Sequence, residues 1–237
     1  MPPVYDPDAA RAEFRAGLRD ITPLSLGVAL YGLAFGLLAA QVGIKAPLTA
    51  LMGLTVFAGS SQIVAVERLA AGAGMSVAIL AGLALNLRLL LMTASLRDEL
   101  AGRPLWQIML GVHLTSDENW GLMHATRCRG GRAGYWYLVG GGTSLIAVWA
   151  GATMLGTGFA GLLPDLAAIG LDFAFTAAFI LLLRNLWRGP GDLAPWALSA
   201  GTTLSVAVLL PVEPSWALIV GGLAGAALAA GRGAAHG

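Results

Sequence analysis

Long apolar stretches, separated by short polar segments, run along most of the chain. A helix that crosses a bilayer needs roughly 20 mostly apolar residues, because each residue rises about 1.5 Å and the hydrocarbon layer is about 30 Å thick. Eight windows meet this requirement, and they cover residues 23–43, 47–68, 75–96, 105–126, 134–156, 165–187, 194–211 and 214–231. The pattern therefore predicts an all-α, polytopic membrane bundle of about eight transmembrane helices.

The first 20 residues do not share this apolar pattern. Their arginines recur every four residues, which places them on one face of a helix. The segment is also too polar for the apolar region of a secretory signal. We therefore expect residues 1–20 to form a cytoplasmic amphipathic helix at the membrane surface, residues 21–232 to form one transmembrane domain, and residues 233–237 to form a short tail.

The composition agrees with a membrane protein and excludes several other classes. Hydrophobic residues make up 57% of the chain and charged residues 11%, whereas an ordinary soluble domain has about 25% charged residues. The net charge of +1 provides no basic surface for nucleic acid. The single cysteine, Cys128, excludes a disulfide within the chain.

The basic residues give the predicted spans a direction. With both termini in the cytoplasm, the cytoplasmic segments contain Arg11, Arg15, Arg19, Arg68, Arg127, Arg129, Arg132, Arg184, Arg188 and Arg232. The outer segments contain Lys45, Arg97 and Arg103. This bias follows the positive-inside rule. Leaving out the polar fourth span would invert every later segment, so we expect that span to cross.

Three of the predicted spans contain polar residues close to their centres. They are Gly59, Ser60, Ser61 and Gln62 in the second span, Asn86 and Arg88 in the third, and His113, Thr115, Ser116, Asp117, Glu118 and Asn119 in the fourth. A charge at the middle of a bilayer costs about 2.5–3.5 kcal/mol on insertion scales, so such residues are retained where they face a partner or a wet cavity. The Gly59–Gln62 segment predicts an interrupted helix, because irregular backbone at that depth needs protein or a cavity beside it.

Some of these residues also have a structural explanation. Ser60 and Ser61 could bond to carbonyls one turn earlier in their helix. Arg88 could form a structural ion pair with Asp117 or Glu118, since an unpaired charge at this depth would be costly.

The spacing of other residues limits what they can do together. Asn86 and Arg88 lie about 200° apart around a regular helix, so both are not expected to face one pocket unless the helix is distorted. His113 and Asp117 have the spacing of a metal-ligand pair, but no second pair completes a site, and no metal is predicted. Asp172, near the outer end of the sixth span, precedes Phe175 and Phe179. An acid beside aromatic rings suits an ammonium group, although an acid near a span end is also tolerated without a function.

Several short motifs, in this order, resemble the AzlC family, the large subunit of two-component branched-chain amino acid exporters. They are Asp20-Ile21-Thr22-Pro23, Ala34-Phe35-Gly36, Phe57-Ala58-Gly59-Ser60-Ser61-Gln62, Asn86-Leu87-Arg88, Ser95-Leu96, Thr115-Ser116-Asp117-Glu118 and Leu171-Asp172-Phe173-Ala174. Two positions depart from the family pattern: Ser116 interrupts a stretch that often reads Thr-Asp-Glu, and Leu89 stands where histidine is common. The resemblance implies export of branched-chain or other hydrophobic amino acids with a small hydrophobic AzlD-like membrane subunit. It also implies a location in the cytoplasmic membrane of a bacterium.

The polar centre and the resemblance together predict a secondary transporter without a cofactor. The residues expected to bind the amino acid are Gly59, Ser60, Ser61, Gln62, Asn86, Asp117 and Asp172. Those expected to form an ion pair or to couple protons are Arg88, Asp117, Glu118 and His113. The chain has no Gly-x-x-x-x-Gly-Lys-Ser/Thr loop for ATP, so the proton gradient is the expected energy source.

Two other classes remain open at this stage. One is an intramembrane enzyme, either serine hydrolase-like or metal-dependent. A serine hydrolase would need a base beside Ser60 or Ser61, which His113 or His124 could provide. A channel or scaffold subunit, alone or in a higher oligomer, is the third class, although channels more often contain a ring of like residues.

Overall fold

The structure is a computed structural model that describes residues 6–160, 187, 189–210 and 214–234. The regular elements in these ranges are all helical, which confirms the predicted helical membrane bundle. The chain forms two compact units, Met1–Phe175 and Thr176–Gly237. The first contains α1 (Pro7–Asp20), α2 (Thr22–Gln41), α3 (Ala46–Val56), α4 (Gly59–Ala70), α5 (Met75–Ser95), α6 (Arg97–Leu100), α7 (Leu105–His113), α8 (Asp117–Cys128) and α9 (Tyr135–Phe159).

Among the described residues, three continuous helices are long and apolar enough to cross a membrane: α2, α5 and α9. We call the end of the first unit where α9 begins the lower end, and the opposite end the upper end. α2 runs parallel to α9, and the Ser25 and Ser144 side chains are in contact in the lower half of each helix. Further up, a side chain at Gly36 would collide with the backbone of Thr153, and one at Gly156 would collide with α2. Glycine therefore lets the two helices approach closely at the upper end.

The helix predicted within the first 20 residues is present as α1. Its start is capped by Asp6, whose side chain accepts hydrogen bonds from the backbone N–H groups of Asp8 and Ala9. The helix packs across the lower part of α9, where a side chain at Gly17 would collide with the carbonyl of Tyr137. One face of α1 is therefore covered by protein.

The predicted second and fourth spans are each a pair of half-helices. Phe57 has a φ of 43°, a left-handed conformation that ends α3, and α4 begins at Gly59. The predicted interruption is therefore confirmed, immediately before the glycine. In the fourth span α7 ends at His113, and α8 begins at Asp117 after Ser116, whose hydroxyl caps its first turn.

α7 and α8 form a hairpin that enters the bundle from the lower end and returns to it. α7 begins beside the start of α9, where the hydroxyl of Tyr135 donates to the carbonyl of Gln107 at 2.8 Å. α8 finishes beside the same part of α9, because Arg127 Nε donates to the carbonyl of Ala133 at 2.7 Å. Arg127 also forms an ion pair at 2.5 Å with Glu99, which lies just beyond the end of α5.

α3 and α4 form a second hairpin, which enters from the upper end. Early in α3, Thr49 accepts a hydrogen bond at 3.1 Å from Thr157, near the end of α9. The first turn of α4 contacts Arg88 of α5, whereas Ala65, further along α4, lies beside Gly82. Since α5 runs down to the lower end, α4 runs opposite to it and returns to the upper end.

These two hairpins correct the predicted crossings of the second and fourth spans. A fourth span that crossed would place Glu99 and Arg127 on opposite sides of a membrane, but the two side chains are in direct contact. A second span that crossed would continue to the lower end, but Ala65 of α4 lies beside Gly82, in the upper half of α5. The apolar windows were misleading because two half-helices have the same combined length and composition as one crossing helix. The crossing helices α2 and α5 are each followed by one hairpin, so the two helix–hairpin pairs have opposite orientations in the bundle.

The second unit contains a short 3₁₀ helix (Pro190–Asp192), α10 (Leu193–Leu209) and α11 (Pro214–Ala234). The last two correspond to the predicted seventh and eighth spans. They pack closely, because a side chain at Gly221 would collide with Thr203 and one at Gly225 would approach the carbonyl of Pro195. The predicted sixth span, including Asp172, lies almost wholly outside the described residues.

Candidate functional site

The tips of the two hairpins meet halfway along α9. The α3–α4 tip lies beside Trp149, since a side chain at Gly59 would come within 3.1 Å of the indole. The α7–α8 tip lies about two turns lower, where Gly142 packs on Leu114. Residues 142 and 149 lie on either side of the middle of this 25-residue helix. The breaks are therefore at the depth that a bilayer centre would occupy.

A histidine links the two tips directly. His113, the last residue of α7, has its Nε2 atom 2.9 Å from the carbonyl oxygen of Leu54 in α3. The His113 and Phe57 rings are also close, with centroids 6.2 Å apart. Carbonyls in the last turn of a helix lack intrahelical partners, so this contact satisfies one that the break in α3 exposes.

Arg88 of α5 connects the beginnings of the two returning half-helices. Its Nη2 atom donates to the Ser60 hydroxyl in the first turn of α4 at 2.5 Å. The same atom lies 2.7 Å from a carboxylate oxygen of Asp117, the first residue of α8. Arg88 thus pairs with Asp117, and Glu118 forms no ion pair within the described ranges.

Asn86 contacts the same turn of α4 as Arg88. The Ser61 hydroxyl donates to the side-chain carbonyl of Asn86 at 2.6 Å. Although α5 is a continuous helix, Asn86 and Arg88 therefore both reach α4, contrary to the expectation from their angular separation. They do so because consecutive serines present their hydroxyls in different directions and the arginine side chain is long. Among the described residues, neither serine bonds to a histidine.

Gln62 is only 1% exposed and joins α4 to α9. Its Oε1 atom accepts hydrogen bonds from the backbone N–H of Ala58 at 3.3 Å and from Nε1 of Trp149 at 3.0 Å. Its Nε2 atom is buried and has no hydrogen-bond partner. A buried donor without an acceptor is costly, typically about 1–3 kcal/mol, and such groups occur at binding sites.

Aromatic side chains border this glutamine. Trp149 stacks on Phe35 with ring centroids 5.6 Å apart, and Tyr31 lies against it at the same distance. None of the three was among the site residues predicted from the sequence. The available signal was a tryptophan within an apolar window, where its N–H needs an acceptor such as Gln62.

Asn119 was expected at the polar centre of the fourth span but not as a site residue, and it fixes the lower hairpin. This fully buried side chain donates to the carbonyl of Leu138 in α9 at 2.7 Å and to that of Leu114 in the break at 3.1 Å. It follows directly after the polar Asp117 and Glu118 in the sequence, which was the only hint of its position.

The break in the fourth span also separates His113 from Asp117, which have the sequence spacing of a metal-ligand pair. His113 ends one helix and Asp117 begins the next, so their four-residue spacing does not put them on one helical face. Among the described residues, no three histidine, cysteine or acidic groups form a cluster that could hold a metal ion.

The centre combines hydrogen-bond donors, one ion pair and an aromatic wall. The first backbone N–H groups of a helix lack partners and carry a partial positive charge, and the starts of α4 and α8 both lie at Arg88. α4 has no acidic residue in its first turn. Asp117 provides the negative charge on the other side of Arg88. This arrangement can bind a small molecule that carries both charges and an apolar group.

The fold and this polar centre define a helical integral membrane protein with two opposed half-helix hairpins. Residues 23–163 match the family model described as AzlC protein. The chain belongs to this family, which is linked to membrane transport.

Two curated proteins resemble the chain over most of its length. Inner membrane protein YgaZ of Escherichia coli K12 is 27% identical over 223 residues, which cover 89% of this chain and 88% of YgaZ. An uncharacterized membrane protein of Helicobacter pylori J99 is 24% identical over 180 residues, which cover 74% of this chain and 78% of the relative. No solved structure matches the chain significantly.

Proposed function

We propose that this protein exports branched-chain or other hydrophobic amino acids from the cytoplasm. The observation that carries the proposal is the meeting of two opposed hairpins at Arg88, halfway through the bundle. Transporters bind their substrates at such depth, between discontinuous helices whose ends replace the solvation of the substrate. An amino acid brings a carboxylate, an ammonium and an apolar side chain, and this centre offers a partner for each.

The two hairpins act as gates on opposite sides of the substrate. The α3–α4 hairpin separates the centre from the upper end, and the α7–α8 hairpin separates it from the lower end. Opening one while the other stays closed gives alternating access, as expected for oppositely oriented structural pairs. The contact between His113 and the carbonyl of Leu54 closes the space between the tips in the present conformation.

The lower end of the first unit faces the cytoplasm in this proposal. Basic residues at that end are Arg11, Arg15, Arg19, Arg97, Arg103, Arg127, Arg129 and Arg132. Those at the upper end are Lys45 and Arg68. The hairpin arrangement moves Arg97 and Arg103 to the cytoplasmic side, so it follows the positive-inside rule more closely than eight crossings do.

Export is coupled to protons and needs a second subunit. Asp117, Glu118 and His113 are the ionisable groups at the hairpin tips, so they are the candidates to carry a proton. The family resemblance suggests an AzlD-like small membrane partner. Much of α5 is available for one, because Leu80, Leu87 and Leu91 are more than half exposed.

Everted membrane vesicles from the host cells test this function with any partner in place. In such vesicles export appears as uptake of radiolabelled leucine. We expect uptake that depends on this chain, increases with an imposed proton gradient and stops with a protonophore. Equal uptake in vesicles with and without the chain would contradict the proposed function.

A further inference from the structure

The Arg88–Asp117 ion pair does not use all of its hydrogen-bonding capacity. Both contacts of Arg88, to Asp117 and to Ser60, go through the single Nη2 atom. The Nε atom is buried and has no hydrogen-bond partner in the described part of the chain. The two side chains are also accessible, with 35% of Arg88 and 24% of Asp117 exposed. An arginine–carboxylate interaction through two parallel N–H groups is stronger than one through a single N–H group. A second carboxylate that binds in this bidentate way could therefore displace Asp117 from Arg88.

The surroundings of the pair contain more donors than acceptors. α4 and α8 are each 12 residues long, and both direct their N-terminal ends at Arg88. The amide of Gln62 lies at the first turn of α4, because its Oε1 atom accepts the N–H of Ala58. Its buried Nε2 atom is a second donor without an acceptor. Two donors at this centre, Gln62 Nε2 and Arg88 Nε, have no partner among the described residues, and both call for a ligand rich in acceptors, such as a carboxylate.

We propose that the substrate inserts into the Arg88–Asp117 pair as a zwitterion. The carboxylate of the amino acid takes the place of Asp117 on Arg88 and binds through both Nε and Nη2. The released carboxylate of Asp117 receives the ammonium of the same molecule. This inference rests on the proposed function and assigns the two charged ends of the substrate to Arg88 and Asp117.

This exchange leaves the net charge of the centre unchanged. One ion pair becomes two, and each charged group keeps an opposite charge beside it throughout. A ligand with only one charged end would leave either Arg88 or Asp117 without a partner, and an uncompensated charge in a low-dielectric site is costly. The site is therefore expected to select free α-amino acids over their amides and over the corresponding carboxylic acids.

Three ligands of similar shape test the selectivity in everted vesicles. They are L-leucine, L-leucinamide, which lacks the carboxylate, and 4-methylpentanoate, which lacks the ammonium. The concentration that halves the uptake of radiolabelled leucine should be at least about tenfold lower for unlabelled leucine than for either analogue. Each analogue lacks a charge-assisted contact that leucine makes. Competition by leucinamide equal to that by leucine would overturn the proposal.

Two conservative variants test the assigned residues. Arg88→Lys keeps the charge but loses the two-pronged guanidinium, so the KM for leucine should rise about tenfold or more. Asp117→Asn should also raise the KM for leucine, but it frees Arg88 from its competitor. In this variant, 4-methylpentanoate should therefore compete better, relative to leucine, than in the unaltered protein. An ion pair with only a structural role would not weaken the binding of leucine and, at the same time, improve that of 4-methylpentanoate relative to leucine.

The control is Arg97→Ala, which removes an exposed arginine whose ion-pair partner, within the described part of the chain, is the neighbouring Asp98. It should leave the KM for leucine unchanged. Unchanged KM values in both Arg88→Lys and Asp117→Asn would overturn the inference while the proposed function stands. Absence of any chain-dependent leucine uptake would instead overturn the proposed function and the inference together.

Discussion

At the scale of single residues, the polar side chains at the hairpin tips divide into two groups. Arg88 and Asp117 are partly exposed and share their partners, whereas Asn119 is fully buried and donates to two backbone carbonyls. The first two can exchange partners, and Asn119 holds the break of the lower hairpin against α9. Sequence alone placed all three in the polar centre, but it did not indicate that Asn119 has this structural role, because that role depends on a carbonyl of α9.

Asn119→Ala is expected to lower the free energy of unfolding by about 1–3 kcal/mol, because two buried carbonyl contacts lose their donor. The midpoint of thermal unfolding of the purified protein in detergent measures this change. Gly121→Ala is the matched control in the same half-helix, since nothing lies within 4 Å of the added methyl group. It should leave the midpoint unchanged or raise it slightly. Equal midpoints for the Asn119 variant and the unaltered protein would show that the asparagine does not hold the break.

At the scale of helices, the apolar pattern predicted where α2, α5 and α9 lie, because each is a continuous window of crossing length. It could not distinguish a crossing helix from a hairpin of two half-helices. That distinction depends on contacts such as Arg127 with Glu99, which lie 28 residues apart. The break itself was predictable in α3–α4, where glycine and two serines interrupt the apolar window.

Because α2 packs closely on α9, alanine is expected to have different effects on stability at two glycines of α2. Gly36→Ala should destabilise the protein, because the added methyl group would collide with the backbone of Thr153. Gly27→Ala adds the same methyl group to α2 with nothing within 4 Å. Thermal unfolding should therefore give a lower midpoint for the first variant and an equal or higher one for the second. The reverse order would contradict the parallel contact of α2 and α9.

At the scale of the whole molecule, the central claim is that the two hairpins enter from opposite sides of the membrane and meet at Arg88. This claim fixes the sides of the loops around α5. The loop at Ala73, between α4 and α5, must lie outside the cell, and the loop at Ala101, after α5, must lie in the cytoplasm. Eight crossings, with the same N-terminal orientation, require the opposite for both positions. The native Cys128, which is exposed at the end of α8, lies on the cytoplasmic side in either arrangement.

Accessibility of single cysteines to a membrane-impermeant thiol reagent measures these positions directly. The variants are Ala73→Cys and Ala101→Cys, each combined with Cys128→Ser, and the unaltered protein serves as a cytoplasmic reference. In intact cells, or in spheroplasts where an outer membrane blocks access, we expect the cysteine at position 73 to react. Those at positions 101 and 128 should react only after permeabilisation. Labelling of position 101 from outside, with position 73 protected, would show that the second and fourth spans cross and would contradict the opposed hairpins.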